Sequence, residues 1–205
     1  IRLDFDRSIS DYFLVHMDGT YPEIFQYLKY TLLVILIIYM KFKKKVVGYL
    51  SWLFIFMLLL LDDALRFHEA FGTWVAEKFN YAPMFGLRTQ DLGELTYVGI
   101  FGPIVFFLML IEYRVGTKAY KKRCCDICLL FALFLFFGIG IDLLHEFVGG
   151  NRYVQLSMLL LEDGGEMITL SFITWYFLFI VIKPENNNHY LCEYFFKNGI
   201  PFVKL

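Results

Sequence analysis

Cysteine is scarce in this 205-residue sequence, and the few cysteines present form no complete metal-binding pattern. There are four of them: Cys124, Cys125, Cys128 and Cys192. Cys125 and Cys128 have the Cys-x-x-Cys spacing. A zinc site of that type also needs a second cysteine pair or nearby histidines, and the sequence supplies neither. The spacing therefore does not predict a zinc site.

Charged residues are also few. They make up 19% of the chain, whereas 59% of the residues are hydrophobic and 24 are phenylalanine. This composition is too apolar for a soluble domain of the same length, and the apolar residues occur in long blocks. The sequence therefore excludes an ordinary soluble domain and predicts a multi-pass membrane protein.

Five apolar blocks are long enough to cross about 30 Å of hydrocarbon as helices. They cover residues 23–41, 47–71, 92–113, 127–148 and 154–182. The predicted fold class is therefore an all-α integral membrane protein with about five transmembrane helices. We expect helices two to five to form an antiparallel four-helix bundle.

Basic residues are concentrated in two loops, 41–45 and 114–123, which lie on the same side if the helices alternate. The positive-inside rule makes that side cytoplasmic, with the N-terminus outside and the C-terminus inside. All four cysteines then lie on the cytoplasmic side, where thiols stay reduced. The predicted divisions are an extracytoplasmic or interfacial segment 1–22, a membrane domain 23–182 and a cytoplasmic tail 183–205.

Positive charge is nearly missing where the acids are concentrated. Two acidic segments follow apolar runs, at 61–69 and 142–146, and two others begin later runs, at 91–94 and 162–166. Together they hold ten carboxylates, with Arg66 and two histidines. A charged side chain at the centre of a membrane helix costs about 2.5–3.5 kcal/mol even on insertion scales, so such groups are rarely without a role.

The two halves of the membrane domain resemble each other weakly. The segment 68–72 pairs with 145–149, and 91–95 pairs with 163–167. The repeat halves, about 47–113 and 127–182, have parallel topology, so a two-fold axis along the membrane normal would relate them. At about 1.5 Å per residue, all four acidic segments reach nearly the same depth. We therefore expect the acids to form one cluster.

A four-helix bundle with inward carboxylates and histidines is similar to the ferritin-like di-iron and di-manganese proteins. In that family two helices each give a Glu, and two others each give a Glu-x-x-His pair. The resemblance assigns Glu94 and Glu166 as the single acids and matches Asp142 and His145 to a shortened pair. In the first half, Leu65 occupies the position at which this pattern would have its acid. His68 would therefore act with neighbouring acids.

The resemblance and the spacing together predict a carboxylate and histidine metal site, which would hold two ions of Fe or Mn, or else Zn. The expected ligands are Asp62, His68, Glu69, Glu94, Asp142, His145, Glu146, Glu162 and Glu166. Four more residues are expected to hydrogen-bond to those ligands: Asp63, Arg66, Asp91 and Asp163. Bound iron would imply oxidation of a lipid-like substrate, and bound zinc would imply hydrolysis.

Two other functions fit the same residues. Acids and histidines at membrane depth also form proton or cation relays, although no helix shows a matching charge in its cytoplasmic half. The alternative is a structural or accessory subunit of a larger membrane complex, with its acids facing a partner. The expected partners are bilayer lipids and other membrane subunits, and no nucleic acid.

Overall fold

The computed structural model describes residues 20–43, 48–84, 86–147 and 152–182, without the side chains of residues 146, 147 and 152. These residues are 90% helical and include no strand. The helices are α1 (Tyr21–Lys43), α2 (Leu50–Leu65), α3 (Phe67–Lys78), α4 (Thr89–Val115), α5 (Lys118–Leu135), α6 (Asp142–Phe147) and α7 (Arg152–Ile182). A π-helical segment, Phe136–Ile141, joins α5 to α6.

Among the described residues, four helical spans are long and apolar enough to cross a membrane. They are α1, α4, the continuous span from α5 to His145, and α7 from Tyr153. The second predicted span differs, because α2 has only 16 residues, or about 24 Å of helix. The protein is therefore all-helical, with the apolar helices of a multi-pass membrane protein.

The second predicted helix, 47–71, ends earlier than expected because the chain turns sharply at Arg66. This residue has the left-handed backbone conformation, with φ of 52°, and it separates α2 from α3. Asp62 compensates for the break, since its Oδ1 accepts a hydrogen bond of 2.8 Å from the backbone N–H of His68. The side chain thus satisfies one of the orphan donors at the start of α3.

The hydrophobic core is formed by α1, α2, α5 and α7, rather than by the last four helices of the prediction. Each of these helices contributes large buried side chains, such as Leu33, Trp52, Ile127 and Phe177. In α1 the buried positions Tyr30, Leu33, Ile37 and Met40 recur at helical spacing, which gives α1 an apolar face toward its neighbours. The expected bundle of helices two to five omitted this helix.

The fourth helix, α4, lies outside that core, and only Asp91 and Gly93 along its length are buried. Val105 and Met109 pack against that core from outside, and polar or backbone contacts attach α4 near each of its ends. At its start Gly93 packs directly against Gly72 of α3. Near its end Glu112 accepts hydrogen bonds from the backbone N–H groups of Leu50 and Ser51, at 2.6 and 2.9 Å, and so caps α2.

Basic residues begin α5 and do not form the loop that the sequence suggested. The helix starts at Lys118, nine residues before the predicted start at residue 127. Thr117 caps it, because its hydroxyl oxygen accepts a hydrogen bond from the backbone N–H of Tyr120 at 3.2 Å. The cysteines at 124, 125 and 128 therefore lie on a helix, where positions four apart share a face.

Candidate functional site

The helices bring acidic side chains together at one end of the structure, where α1 begins and α2 ends; we call this the acidic end. A pocket of about 250 Å³, the acid pocket, opens there between α1, α2, α3 and α7. It is lined by Pro22, Glu23, Gln26, Tyr27, Asp63, Arg66, His68, Glu69, Asp163, Glu166 and Met167. Five of these side chains are carboxylic acids, and one is an arginine.

Glu166 of α7 lies at the centre of the acids. Asp63, Asp142 and Asp163 are all near enough for their charges to act on it. Gln26 of α1 donates a hydrogen bond of 3.3 Å from Nε2 to Glu166 Oε2. The expected cluster therefore includes residues from three of the four acidic segments around a single glutamate.

Gly138 and Gly165 lie where the π-helical segment and α7 pack closely. A Cβ at Gly138 in the π-helical segment would lie 1.9 Å from Glu166 Oε1. A Cβ at Gly165 would lie 2.2 Å from the ring of Phe137. These two glycines therefore serve close packing between the π-helical segment and α7, whereas a Cβ at Gly164 would meet no atom within 4 Å.

Asp62 and His68 form the second part of the acidic end. His68 Nδ1 lies 3.2 Å from Asp62 Oδ2, and α3, which carries the histidine, lies outside the four apolar spans. The hydrogen bond to Asp62 raises the pKa of His68 above its usual value, and Glu94 and Glu69 also raise it. His68 therefore pairs directly with Asp62, and Glu94 of α4 is near enough to act on its charge.

Several predicted ligands have structural contacts of their own. Glu94 accepts a hydrogen bond of 2.9 Å from Gln90 Nε2, and Asp91 accepts bonds from both the backbone and the guanidinium of Arg88. Glu69 forms a partly exposed ion pair with Arg66 at 3.6 Å. Asp91 therefore caps α4, where we had expected a hydrogen-bond partner of the metal ligands.

The remaining predicted ligands do not line the acid pocket. His145 is half-buried near the end of α6, and Glu162 is half-buried on α7. The side chain of Glu146 lies outside the described residues. Within the described part of the chain, no three His, Cys, Asp or Glu side chains are arranged as a ready metal site.

Sequence reasoning missed the contribution of α1 to the pocket. Glu23, Gln26 and Tyr27 line it, and the Tyr27 hydroxyl hydrogen-bonds to Glu23 and lies 3.2 Å from the carbonyl oxygen of Asp63. The signal was present in the spacing, since residues 23, 26, 27 and 30 share one face of a helix. That face continues into the buried positions of α1.

A buried lysine fixes α1 against α7 just below the pocket. Lys29 is only 6% exposed, and its ammonium donates hydrogen bonds to the Met167 carbonyl oxygen at 2.8 Å and to Ser171 Oγ at 3.3 Å. The ammonium also lies 4.7 Å from the centre of the Phe25 ring. This lysine supplies positive charge next to the acids, although it does not line the pocket.

The internal repeat stays a prediction, and its two predicted halves have different contacts in the described residues. Glu94 lies against Gly72 of α3, whereas the matching Glu166 lies against Gly138 of the π-helical segment. The two glutamates that the ferritin-like resemblance paired therefore have separate surroundings.

Comparison with known proteins gives a family and no assigned activity. No curated protein and no solved structure matches the chain. A family model does match over residues 8–181, which is most of the chain. The protein therefore belongs to the family described as Domain of unknown function (DUF8692).

Proposed function

We propose that this protein is a multi-pass membrane protein that binds a divalent metal ion in the acid pocket. The observation that supports the proposal is the charge there: five carboxylic acids line the pocket, whereas Arg66 pairs with Glu69 and His68 with Asp62, and the nearby Lys29 bonds to the backbone of α7. Two carboxylates about 6 Å apart repel by roughly 3 kcal/mol at an effective dielectric constant near 20. A bound divalent cation removes most of this repulsion.

Oxygen donors with one imidazole suit Mn(II), Fe(II) or Zn(II) better than Cu(I). The acid pocket offers such a set in Glu23, Asp63, Glu166 and His68. The separate surroundings of Glu94 and Glu166 favour one ion over the di-metal centre of the resemblance. Binding would draw the pocket side chains inward from their present positions.

The proposed topology places this pocket near the extracytoplasmic surface. Lys41 and Lys43 end α1 at the opposite end, and Lys118 begins α5 there. By the positive-inside rule that end faces the cytoplasm. A metal at the acidic end would then serve oxidation of a lipid-like substrate if it is Fe(II), or hydrolysis if it is Zn(II).

Metal content of the detergent-purified protein tests the proposal. After separate loading with Mn(II), Fe(II) and Zn(II), mass spectrometry is expected to find about one equivalent of at least one metal in the native protein. Asp63→Asn and Glu166→Gln are each expected to weaken binding by about tenfold or more, by analogy with the loss of groups around known metal sites. Glu94→Gln should retain the ion if there is a single site.

Glu77→Gln is the matched control, because Glu77 is exposed on α3 and does not line the pocket. This variant should bind metal as the native protein does. The proposal fails if the native protein takes up none of the three metals. It also fails if Glu77→Gln loses as much metal as Asp63→Asn.

A second candidate, proton or cation transport, is favoured by a buried charge whose position was not evident from the sequence. Asp126 of α5 is fully buried in the half of the structure away from the acid pocket. With the buried Lys29 and the half-buried Glu166 it gives ionisable groups away from the surface in both halves. Liposomes that contain the native protein are expected to show proton flux, and both Asp126→Asn and Glu166→Gln are expected to lose it. Transport is contradicted if liposomes with the native protein show no more flux than empty liposomes.

A further inference from the structure

Two cysteines of α5, one turn apart, face each other in the half of the protein that the acid pocket does not occupy. The sulfur atoms of Cys124 and Cys128 are 3.9 Å apart, and Cys124 is only 2% exposed. Cys125, which completes the Cys-x-x-Cys spacing with Cys128, is exposed. The helix therefore pairs Cys124 with Cys128, whereas the Cys-x-x-Cys spacing would have paired Cys125 with Cys128.

Two buried hydrogen-bond donors lie beside the Cys124 thiol. They are Trp52 Nε1 and Tyr120 Oη, on side chains that are 0% and 2% exposed. Within the described residues neither atom completes a hydrogen bond. A buried donor without an acceptor destabilises the fold. Because a neutral thiol is a weak acceptor, both donors would gain far more from a thiolate.

The Tyr120 ring packs closely between two glycines. A Cβ on Gly48 would lie 2.6 Å from the ring, and a Cβ on Gly116 would lie 2.2 Å from it. Gly48 also has a φ of 113°, a conformation that other residues rarely adopt. The backbone on both sides of the ring thus holds the hydroxyl beside Cys124.

Geometry distinguishes a metal bridge from a disulfide. Residues four apart on a helix have Cβ atoms about 5–6 Å apart, whereas a disulfide requires Cβ atoms about 3.5–4.5 Å apart. Metal–thiolate bonds of about 2.3 Å allow two sulfurs on one ion to be up to about 4.6 Å apart. The observed 3.9 Å fits a shared ion without movement of the main chain.

We propose that Cys124 and Cys128 bind one Cu(I) ion as thiolates, with Trp52 and Tyr120 donating hydrogen bonds to the coordinated Cys124 sulfur. Thiolates favour Cu(I) and zinc, but a structural zinc site needs four ligands, and among the described residues no group of three His, Cys, Asp or Glu is arranged to hold a metal, whereas two thiolates suffice for Cu(I). Two thiols release two protons to solvent as the ion binds, and no group is oxidised. The resulting complex carries a single negative charge, which the two hydrogen bonds to sulfur stabilise.

Competition for Cu(I) with a chromogenic chelator tests the site, using the full chain purified anaerobically in detergent. The native protein is expected to bind one equivalent and to show sulfur-to-copper charge transfer in the ultraviolet. Cys124→Ser and Cys128→Ser should each abolish binding, and Cys125→Ser should leave it unchanged. Trp52→Phe and Tyr120→Phe should keep the stoichiometry and weaken affinity about 10- to 100-fold.

Cys128 is only half-buried, so Cys128→Ser tests the ligands even if Cys124→Ser does not fold. The proposal is overturned if Cys125→Ser weakens binding as much as Cys128→Ser, because the sequence motif would then be the site. It is also overturned if the anaerobically purified native protein contains a Cys124–Cys128 disulfide or does not compete with the chelator for Cu(I).

Discussion

Gly93→Ala is expected to separate α3 from α4 and to lower the unfolding temperature of the purified protein by several degrees. A Cβ on Gly93 would lie 2.1 Å from the carbonyl oxygen of Gly72 and 2.5 Å from its carbonyl carbon. Both are backbone atoms, so no side-chain rotation relieves the clash. Overpacking of this kind typically costs about 1–3 kcal/mol, and more when the backbone must move.

The same helix provides the control for this prediction. Gly99 and Gly102 of α4 have no atom within 4 Å of an added Cβ. Gly99→Ala should therefore keep or slightly raise the unfolding temperature, since alanine favours a helix by about 1 kcal/mol over glycine. Thermal unfolding in detergent, followed by circular dichroism, measures both variants. Equal unfolding temperatures for Gly93→Ala and Gly99→Ala would show that α3 and α4 do not pack through Gly93.

The clustering of acids could be predicted from the sequence because it depends on distances along straight helices. A rise of about 1.5 Å per residue brings Asp63 and Glu166 to one depth whichever helices are neighbours. Which helices lie next to one another could not be predicted in that way. The shared helical face of Glu23 and Gln26 was the available signal, but polar residues there also fit an ordinary helix start.

The break between α2 and α3 at Arg66 could not be predicted from the sequence, for a different reason. Helix ends are usually recognised by glycine or proline, and residues 61–69 contain neither. The left-handed turn is held by a tertiary contact, the hydrogen bond from the His68 backbone to Asp62. Asp62 was interpreted as a metal ligand, so its part in capping α3 was missed.

Whether the thiol pair could be predicted from the sequence depended on where α5 begins. A helix starting at residue 127 leaves Cys124 in a loop, where the Cys-x-x-Cys spacing is the natural interpretation. Once α5 starts at Lys118, the one-turn spacing of Cys124 and Cys128 decides which sulfurs meet. The basic residues at 118–123 concealed this start, because a run of positive charge is also typical of a cytoplasmic loop.

Asp126→Ala is expected to have the largest effect on stability in the half of the protein away from the acid pocket. Asp126 is fully buried, and its Oδ2 accepts a hydrogen bond of 2.5 Å from the Tyr176 hydroxyl of α7. Arg123, also buried, lies on the same face of α5 one turn earlier. Removing one member of a buried charged group leaves the others uncompensated, which typically costs about 3–5 kcal/mol.

Two milder variants separate charge from hydrogen bonding at this position. Asp126→Asn keeps an oxygen that can accept from Tyr176 but removes the negative charge near Arg123. Tyr176→Phe keeps the charge and removes only the donor, for an expected cost of about 1–3 kcal/mol. Asp126→Ala should therefore destabilise the protein more than either variant, as measured by denaturant unfolding in detergent. Cys125→Ala, at the exposed neighbouring position, should have little effect.

The double variant Asp126→Ala with Tyr176→Phe decides whether the contact joins α5 to α7. If the two side chains stabilise the fold through each other, the double variant loses less than the sum of the single losses, because the second change removes a partner that is already gone. Strictly additive losses would mean that Asp126 acts through Arg123 alone. The buried apolar side chains that α5 and α7 share in the core would then be the connection between these two helices.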